Sequence, residues 1–441
     1  MSQYKVRPVY NKLKKYKDAD KYPLSINISV PGSKSITNRA LLIAALAKGE
    51  SNLYGLAKGD DVDAFISCLR DLGFSLTLDE KKKNVKVVGS GGHIPLKKAS
   101  INVNSAGTAA RFLTTLLALS DGEYHIDASE QMKKRPMGDL INALKPLGAT
   151  FIFDEKENSL PYTIKGAGKV TAGEAVVDIT KSSQFLSGLI LAAPLLPDGF
   201  KVKMAGKHSL SYVDMSVELM KSFGLEPEYS EDCVTIKGGN YKGLDYNIEP
   251  DMSSAAYIYS MCPLLGVPAT VKGVGESSIQ SDFGFINALY QTGCEVDTEG
   301  GALTLYPPVD GEIKGVVIDM DDCPDQAMTM AVLACFANRP TMITGLSSLK
   351  YKESDRLNAI VTELTKRGIK TEHTEDSISI YPGVPGPGVV DTYEDHRMAM
   401  AFSLMGLRQD GIIIDNPECV NKTFPDYFEA LDSLLDYIEK L

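Results

Sequence analysis

The chain has 441 residues, 44% of them hydrophobic and 23% charged, ordinary proportions for a globular protein. Its length suggests two domains of about 200 residues each rather than one core. A net charge of −11 argues against a broad nucleic-acid-binding surface but leaves room for a small anionic ligand, because steering depends on the charge that lines a cleft. Seven scattered cysteines (68, 233, 262, 294, 323, 335, 419) without a CxxC pair read as free thiols of a reducing compartment. Five mutually isolated histidines supply no metal cluster.

The N-terminal stretch is basic (Lys5, Arg7, Lys12, Lys14, Lys15, Lys17, Lys21), yet no apolar run follows it, so no secretion signal is expected. The longest apolar run, Leu186 to Leu196, is too short to span a bilayer and contains Pro194. A cytoplasmic protein without membrane contact is the expectation. Next comes an apolar, strand-like run, Ile26 to Val30, which stops at Pro31 and Gly32. Ser33, Lys34 and Ser35 follow, and an Ala/Leu-rich helix begins. This spacing places backbone N–H groups and a lysine at the positive end of a helix, with Arg39 one turn further along the same face. That is an anion site in outline, although an ordinary junction with a serine N-cap would read the same.

The pattern returns. A polar turn leads into an apolar helix at 33–49, 105–122, 182–199, 251–266, 323–340 and 393–411, roughly every 70 residues. Amphipathic helices alternate with these, and five of them close on a glycine (73, 148, 224, 293, 368) before a β-like segment. A sixth, DYFEALDSLLDYIEKL, ends the chain without one. Helices apolar on every face belong in a core. The economical arrangement is α/β: two similar domains, each of three repeat units around buried apolar helices, in an inside-out, barrel-like form with pseudo-sixfold repetition. Because the strand at 26–30 precedes the first unit, the expected domains are 1–32 with 249–441, and 33–248. The hinges would fall near Pro31–Gly32 and Glu249–Pro250, with the active-site cleft between the domains.

The helix starts differ from one another although packing would accept any N-cap. They read Ser33-Lys34-Ser35, Ser105-Ala106-Gly107-Thr108, Ser182-Ser183-Gln184, Ser253-Ser254, Asp325-Gln326 and Asp395-His396-Arg397. Arg39, Arg111 and Arg397 sit beside such starts, and Arg135, Lys352, Arg356 and Lys422 flank other loops. Basic residues at equivalent points of a repeat point to a ligand with several anionic groups.

The segments PGSKSITNRALLIAAL, SAGTAARFL, KKRPMGDL, KSSQFLSGLILAA, CPDQAM, YKESDRL, EDHRMAMAF and NKTFPDYFEAL together resemble the EPSP synthases, 3-phosphoshikimate 1-carboxyvinyltransferases of the enolpyruvyl transferase family. The resemblance runs from about residue 25 to the C-terminus. It implies two domains of three βαβαββ units each. It also implies transfer of the enolpyruvyl group of phosphoenolpyruvate to the 5-hydroxyl of shikimate 3-phosphate, with release of phosphate. By motif match, Lys34, Gly107, Arg135, Gln184, Arg356, Arg397 and Lys422 would hold phosphoenolpyruvate. Ser35, Arg39, Ser182, Ser183, Gln184, Ser209, Tyr212, Asp325, Ser348 and Lys352 would hold shikimate 3-phosphate. Asp325, Glu353 and Lys34 would move protons, with Asp325 near the hydroxyl and Glu353 near the methylene carbon. Neither metal nor cofactor is implied, since arginine and lysine supply the charge stabilisation. The enzyme is expected to act as a monomer and to compact when shikimate 3-phosphate binds. Ser105, Phe112 and Ser348 depart from the family's usual asparagine, proline and asparagine.

Three other readings compete. The sister enzyme acting on UDP-N-acetylglucosamine shares the fold, but its loop cysteine has no counterpart between Ser120 and Gly138, and the KTFPDYF ending favours the shikimate branch. A P-loop is excluded because GSKS lacks the upstream GxxxxGK spacing. A repeat-built binding protein would leave Asp325 and Glu353 without a task.

Overall fold

The computed structural model describes residues 2–16, 22–79, 83–230, 232–298 and 302–441, so Lys17 and Lys21 of the basic stretch lie outside the described residues. The chain divides into two compact units: Met1–Pro31 with Glu249–Leu441, and Gly32–Ile248.

The unit Gly32–Ile248 holds α1 (Lys34–Leu46), α2 (Asp60–Asp71), α3 (Gly107–Ala118), α4 (Gly138–Leu144), α5 (Gln184–Leu191) and α6 (Ser211–Ser222). The odd-numbered helices are the apolar ones. Every residue of α3, and every residue of α1 from Ile36 onward, is buried. Side chains such as Leu41, Leu42 and Ile43 each contribute about 1.5–3 kcal/mol by leaving water. The third apolar run ends early as an α-helix because Pro194 forces a 3-10 turn at Ala193–Leu195. In the other unit, α7 (Met252–Leu265), α9 (Ala327–Cys335) and α11 (His396–Gly406) form the core. Around it lie α8 (Gly284–Gln291), α10 (Arg356–Lys366) and α12 (Tyr427–Lys440). The five glycines that close the amphipathic segments all take left-handed φ, between 75° and 108°, which a side chain would strain.

Among the described residues, five four-stranded sheets and one three-stranded sheet cover these helices. In the second repeat, Lys98–Asn102 runs parallel to Glu123–Asp127. The latter pairs antiparallel with Tyr162–Lys165, and this in turn with Thr150–Phe153. The same order recurs from Glu174 to Ile236 and from Val317 to Ile380.

The first and fourth repeats trade their parallel strands. Ile26–Asn27, ahead of α1, lies beside Ala269–Thr270, which follows α7; Asp245–Asn247, ahead of α7, lies beside Asn52–Tyr54, which follows α1. The strand expected over Ile26–Val30 is thus only two residues long. The sixth sheet departs from the βαβαββ pattern and has three strands among the described residues. Gln3–Lys5 forms its edge, antiparallel to Ile413–Asp415. The N-terminal segment also passes directly over α11, where a Cβ on Gly406 would lie 2.3 Å from that of Val6. Both contacts tie the first residues to the Glu249–Leu441 part.

Candidate active site

Within Gly32–Ile248 the polar residues at the helix starts gather around two buried arginines. Ser33 caps α1, its hydroxyl accepting from the Ile36 N–H. The capped start sets Lys34, whose Nζ lies 3.0 Å from Asp61 Oδ2 at the first turn of α2. Arg39, one turn on, is 1% exposed. It donates to Ser216 Oγ (2.7 Å), Ser187 Oγ (3.4 Å) and the carbonyls of Ser35 and Tyr212 (both 3.1 Å). Its guanidinium also lies 5.2 Å from the Phe112 ring. Every one of these partners is neutral, and burial pulls its pKa down to about 10.

Arg111 on α3 donates to the Gly107 carbonyl (3.2 Å), Gln184 Oε1 (3.3 Å) and the Pro136 carbonyl (3.3 Å). A Cβ on Gly107 would meet Arg111 Nη1 at 2.5 Å and Arg135 Nη1 at 2.7 Å, so glycine is what lets both cations reach this helix start. Gly107, Arg135 and Gln184 are therefore neighbours through Arg111. Ser182 Oγ accepts from the Gln184 N–H (3.2 Å), Ser183 is buried beside it, and Ser209 Oγ meets Ser211 Oγ at 2.9 Å.

The other unit carries a denser network around Arg356, also 1% exposed. Asp355 caps α10, accepting from the Asn358 N–H, and this places Arg356 at the first helical position. Arg356 Nη1 lies 2.7 Å from Asp325 Oδ1, Nη2 2.8 Å from Glu353 Oε2, and Nε 2.7 Å from Asp395 Oδ2. Asp325 projects from the 3-10 turn Pro324–Gln326 that leads into α9. It also pairs with Lys352 (3.3 Å) and Arg397 (3.3 Å). Burial pushes the Asp325 carboxyl up, but Lys352, Arg397 and Arg356 outweigh it and hold the group well below the usual carboxylate range. Burial lowers Arg356 in turn, and Asp395, Glu353 and Asp325 more than restore it, so its pKa is raised.

Asp395 caps α11 by accepting from the Arg397 N–H (3.0 Å). The two residues before it, Tyr393 and Glu394, have φ of 54° and 55°, a left-handed conformation costing about 1–2 kcal/mol each for a side-chain-bearing residue. Glu363, buried on α10, holds this turn: its carboxylate accepts from Tyr393 Oη (2.9 Å) and the Asp391 N–H (3.3 Å). One helix thus supplies Arg356 and anchors the turn that brings Asp395 to it.

The structure therefore joins Asp325, Lys352, Glu353, Arg356 and Arg397 in one cluster. Glu353 is no surface charge, its side chain being only 8% exposed. Lys422 is buried at the end of the 3-10 segment Pro417–Lys422, ahead of α12. Ser348 is buried, and its hydroxyl has no partner among the described residues. Sequence reasoning missed Asp61 and the double pairing of Asp395 with Arg356. Both look like ordinary acids at helix N-termini, which the helix dipole favours anywhere. Among the described residues no group of three or more His, Cys, Asp or Glu is placed to hold a metal ion, and no helix is long and apolar enough to cross a membrane.

Known proteins similar to the chain point to one family. The family model of EPSP synthase (3-phosphoshikimate 1-carboxyvinyltransferase) matches residues 19–431. A 3-phosphoshikimate 1-carboxyvinyltransferase of a Nostoc species is 40% identical over 419 residues, covering 94% of this chain and 97% of the relative. One of a Sulfurovum species is 38% identical over 416 residues, covering 93% and 96%. The chain belongs to the EPSP synthase family. Its fold is similar to that of EPSP synthase from Acinetobacter baumannii, with a TM-score of 0.79 at 24% identity over 98% of each chain. It is also similar to the enolpyruvyl transferase NikO of Streptomyces tendae, with a TM-score of 0.73 at 17% identity over 93% and 94%.

Proposed function

We propose that this chain transfers the enolpyruvyl group of phosphoenolpyruvate to the 5-hydroxyl of shikimate 3-phosphate and releases phosphate, as a cytoplasmic monomer that needs no cofactor. The observation that carries the reading is a carboxylate with only 13% of its side chain exposed, Asp325, held within 3.3 Å of Lys352, Arg356 and Arg397. Such a cluster can bind a carboxylate and a phosphate at once and still keep an ionised proton acceptor among the cations.

A proton adds to the methylene carbon of phosphoenolpyruvate, and the 5-hydroxyl oxygen bonds to the neighbouring carbon while its own proton passes to Asp325. The adduct then loses a methyl proton and the phosphate, and the vinyl group is restored. Glu353 carries the proton to and from the methylene carbon, and Lys34 is a further carrier. Lys34, Gly107, Arg135, Gln184, Arg356, Arg397 and Lys422 serve phosphoenolpyruvate. Ser35, Arg39, Ser182, Ser183, Gln184, Ser209, Tyr212, Asp325, Ser348 and Lys352 serve shikimate 3-phosphate. Arginine suits these anions because its planar fork binds them bidentately. The substrate anions neutralise Lys352, Arg356 and Arg397, which relaxes the downward pull on Asp325 and strengthens it as a base.

The test is phosphate release. Release should require both substrates together, and UDP-N-acetylglucosamine should not replace shikimate 3-phosphate. No release with both present overturns the reading.

A further inference from the structure

Asp282 lies in the short turn Ser281–Phe283 ahead of α8, where an acidic residue in a first turn would pass unremarked. It is 4% exposed, and both its oxygens are engaged by neighbours of the Arg397–Asp325 pair. Oδ2 accepts from Ser253 Oγ at 3.0 Å, and that same Ser253 Oγ accepts from Arg397 Nη2 at 3.0 Å. Oδ1 accepts from Gln326 Nε2 at 3.0 Å, on the residue directly after Asp325. The turn is itself pinned. Gln280 Oε1 accepts from the Met252 N–H (2.9 Å), while Gln280 Nε2 donates to Glu249 Oε2 (2.9 Å) and the Pro250 carbonyl (2.8 Å). Ser253 and Asp282 are thereby held in one rigid piece at the start of α7.

We propose that Asp282 is a positioning residue for the enolpyruvyl transfer. Its carboxylate fixes the Nη2 edge of Arg397 through Ser253, and it fixes the turn bearing Asp325 through Gln326, so that phosphoenolpyruvate meets a guanidinium already oriented. The inference rests on the reaction proposed above. It distinguishes Asp282 from Asp395 and Glu353, which touch the arginine cluster directly. A negative charge two hydrogen bonds behind Arg397 polarises the Ser253 hydroxyl as an acceptor, and this is the contribution that a neutral group of the same shape lacks.

Asp282→Asn isolates that charge. The amide oxygen can still accept from Ser253, and the amide nitrogen can donate to Gln326 Oε1 after that side chain turns over, an atom with no partner among the described residues. The variant should fold with a wild-type melting midpoint and bind shikimate 3-phosphate in a calorimeter within about twofold of wild type. KM for phosphoenolpyruvate should rise about tenfold, with a smaller fall in kcat. Ser253→Ala should show the same split, and the double variant should be no worse than the worse single one, because both interrupt one relay. In a crystal structure of Asp282→Asn, Arg397 Nη2 should leave its 3.3 Å approach to Asp325. A wild-type KM for phosphoenolpyruvate in Asp282→Asn, or losses that multiply in the double variant, overturns the proposal. If the wild-type protein releases no phosphate, the reaction assignment falls by itself. The crystal structure then still decides the relay, and an unmoved Arg397 overturns it.

Discussion

Two buried arginines, Arg39 in one unit and Arg356 in the other, are equally hidden from water but held in opposite ways. Arg356 has three carboxylates within 2.8 Å, and its charge is more than compensated. Arg39 touches only hydroxyls, carbonyls and rings, and burial, outweighing a raising contribution from Tyr212, pulls its pKa down. Neutral partners satisfy the hydrogen bonds of a cation without cancelling its charge, so the positive charge of Arg39 stays uncompensated. Around Arg356 three cations face three carboxylates, Asp325 among them, so the charges already balance internally. The two units thus hold a buried arginine by different electrostatic designs.

The largest expected effect belongs to the Asp325 carboxylate. Asp325→Asn should lower kcat about 10²–10⁴-fold in the phosphate-release assay. Lys34→Ala, which acts in the other unit, should also lose most activity while the fold persists. A mild loss in Asp325→Asn would mean that another group accepts the hydroxyl proton.

Replacing the two arginines by methionine breaks the comparison most directly. Arg39→Met should weaken shikimate 3-phosphate binding about a hundredfold or more by calorimetry. It should leave unfolding by denaturant unchanged or shifted toward greater stability, since an uncompensated buried cation lowers stability at every pH below about 10. Arg356→Met should instead cost about 3–5 kcal/mol, because three carboxylates lose their partner. Equal stability losses in the two variants would erase the distinction.

Acid sharpens it further. The folded-state pKa of Asp325 lies below its unfolded value of about 3.9, so the stability it contributes is whole above that pH and is lost as pH falls through the lower folded value. The stability gap between wild type and Asp325→Asn should be full at neutral pH and narrow below about pH 4. A gap that narrows between pH 5 and 7 would contradict the depressed carboxyl. The smallest effect is expected at the anchored turn. Tyr393→Phe removes one hydrogen bond to Glu363 and should cost about 1 kcal/mol of stability with a few-fold loss of kcat, both measurable on one preparation.

Much of this molecule was legible from its residues. The six apolar helices, the alternating amphipathic ones and the glycines that end five of them depend on local pattern and local φ, and such features need no distant partner. The cations at the helix starts stood out because packing has no use for their variety. The resemblance to the EPSP synthases added the ligand roles, which periodicity alone does not reach.

Tertiary structure decided what distant segments do to one another. Nothing local announces that Ile26–Asn27 and Asp245–Asn247 each run beside the strand that follows the other repeat's helix. Nor does it announce that Gln3–Lys5 completes the sheet of the last repeat. Side-chain partnerships are of the same kind. Asp61, Asp282 and Asp395 read as plain N-terminal acids, and only the fold brings them to Lys34, Ser253 and Arg356, residues 27, 29 and 39 positions away in sequence. The sequence by itself determined the repeating elements and which residue types stand at their starts, because those follow from short-range sterics and burial. Which acid compensates which cation was left to tertiary structure, because charges act through space and only the folded chain sets those distances.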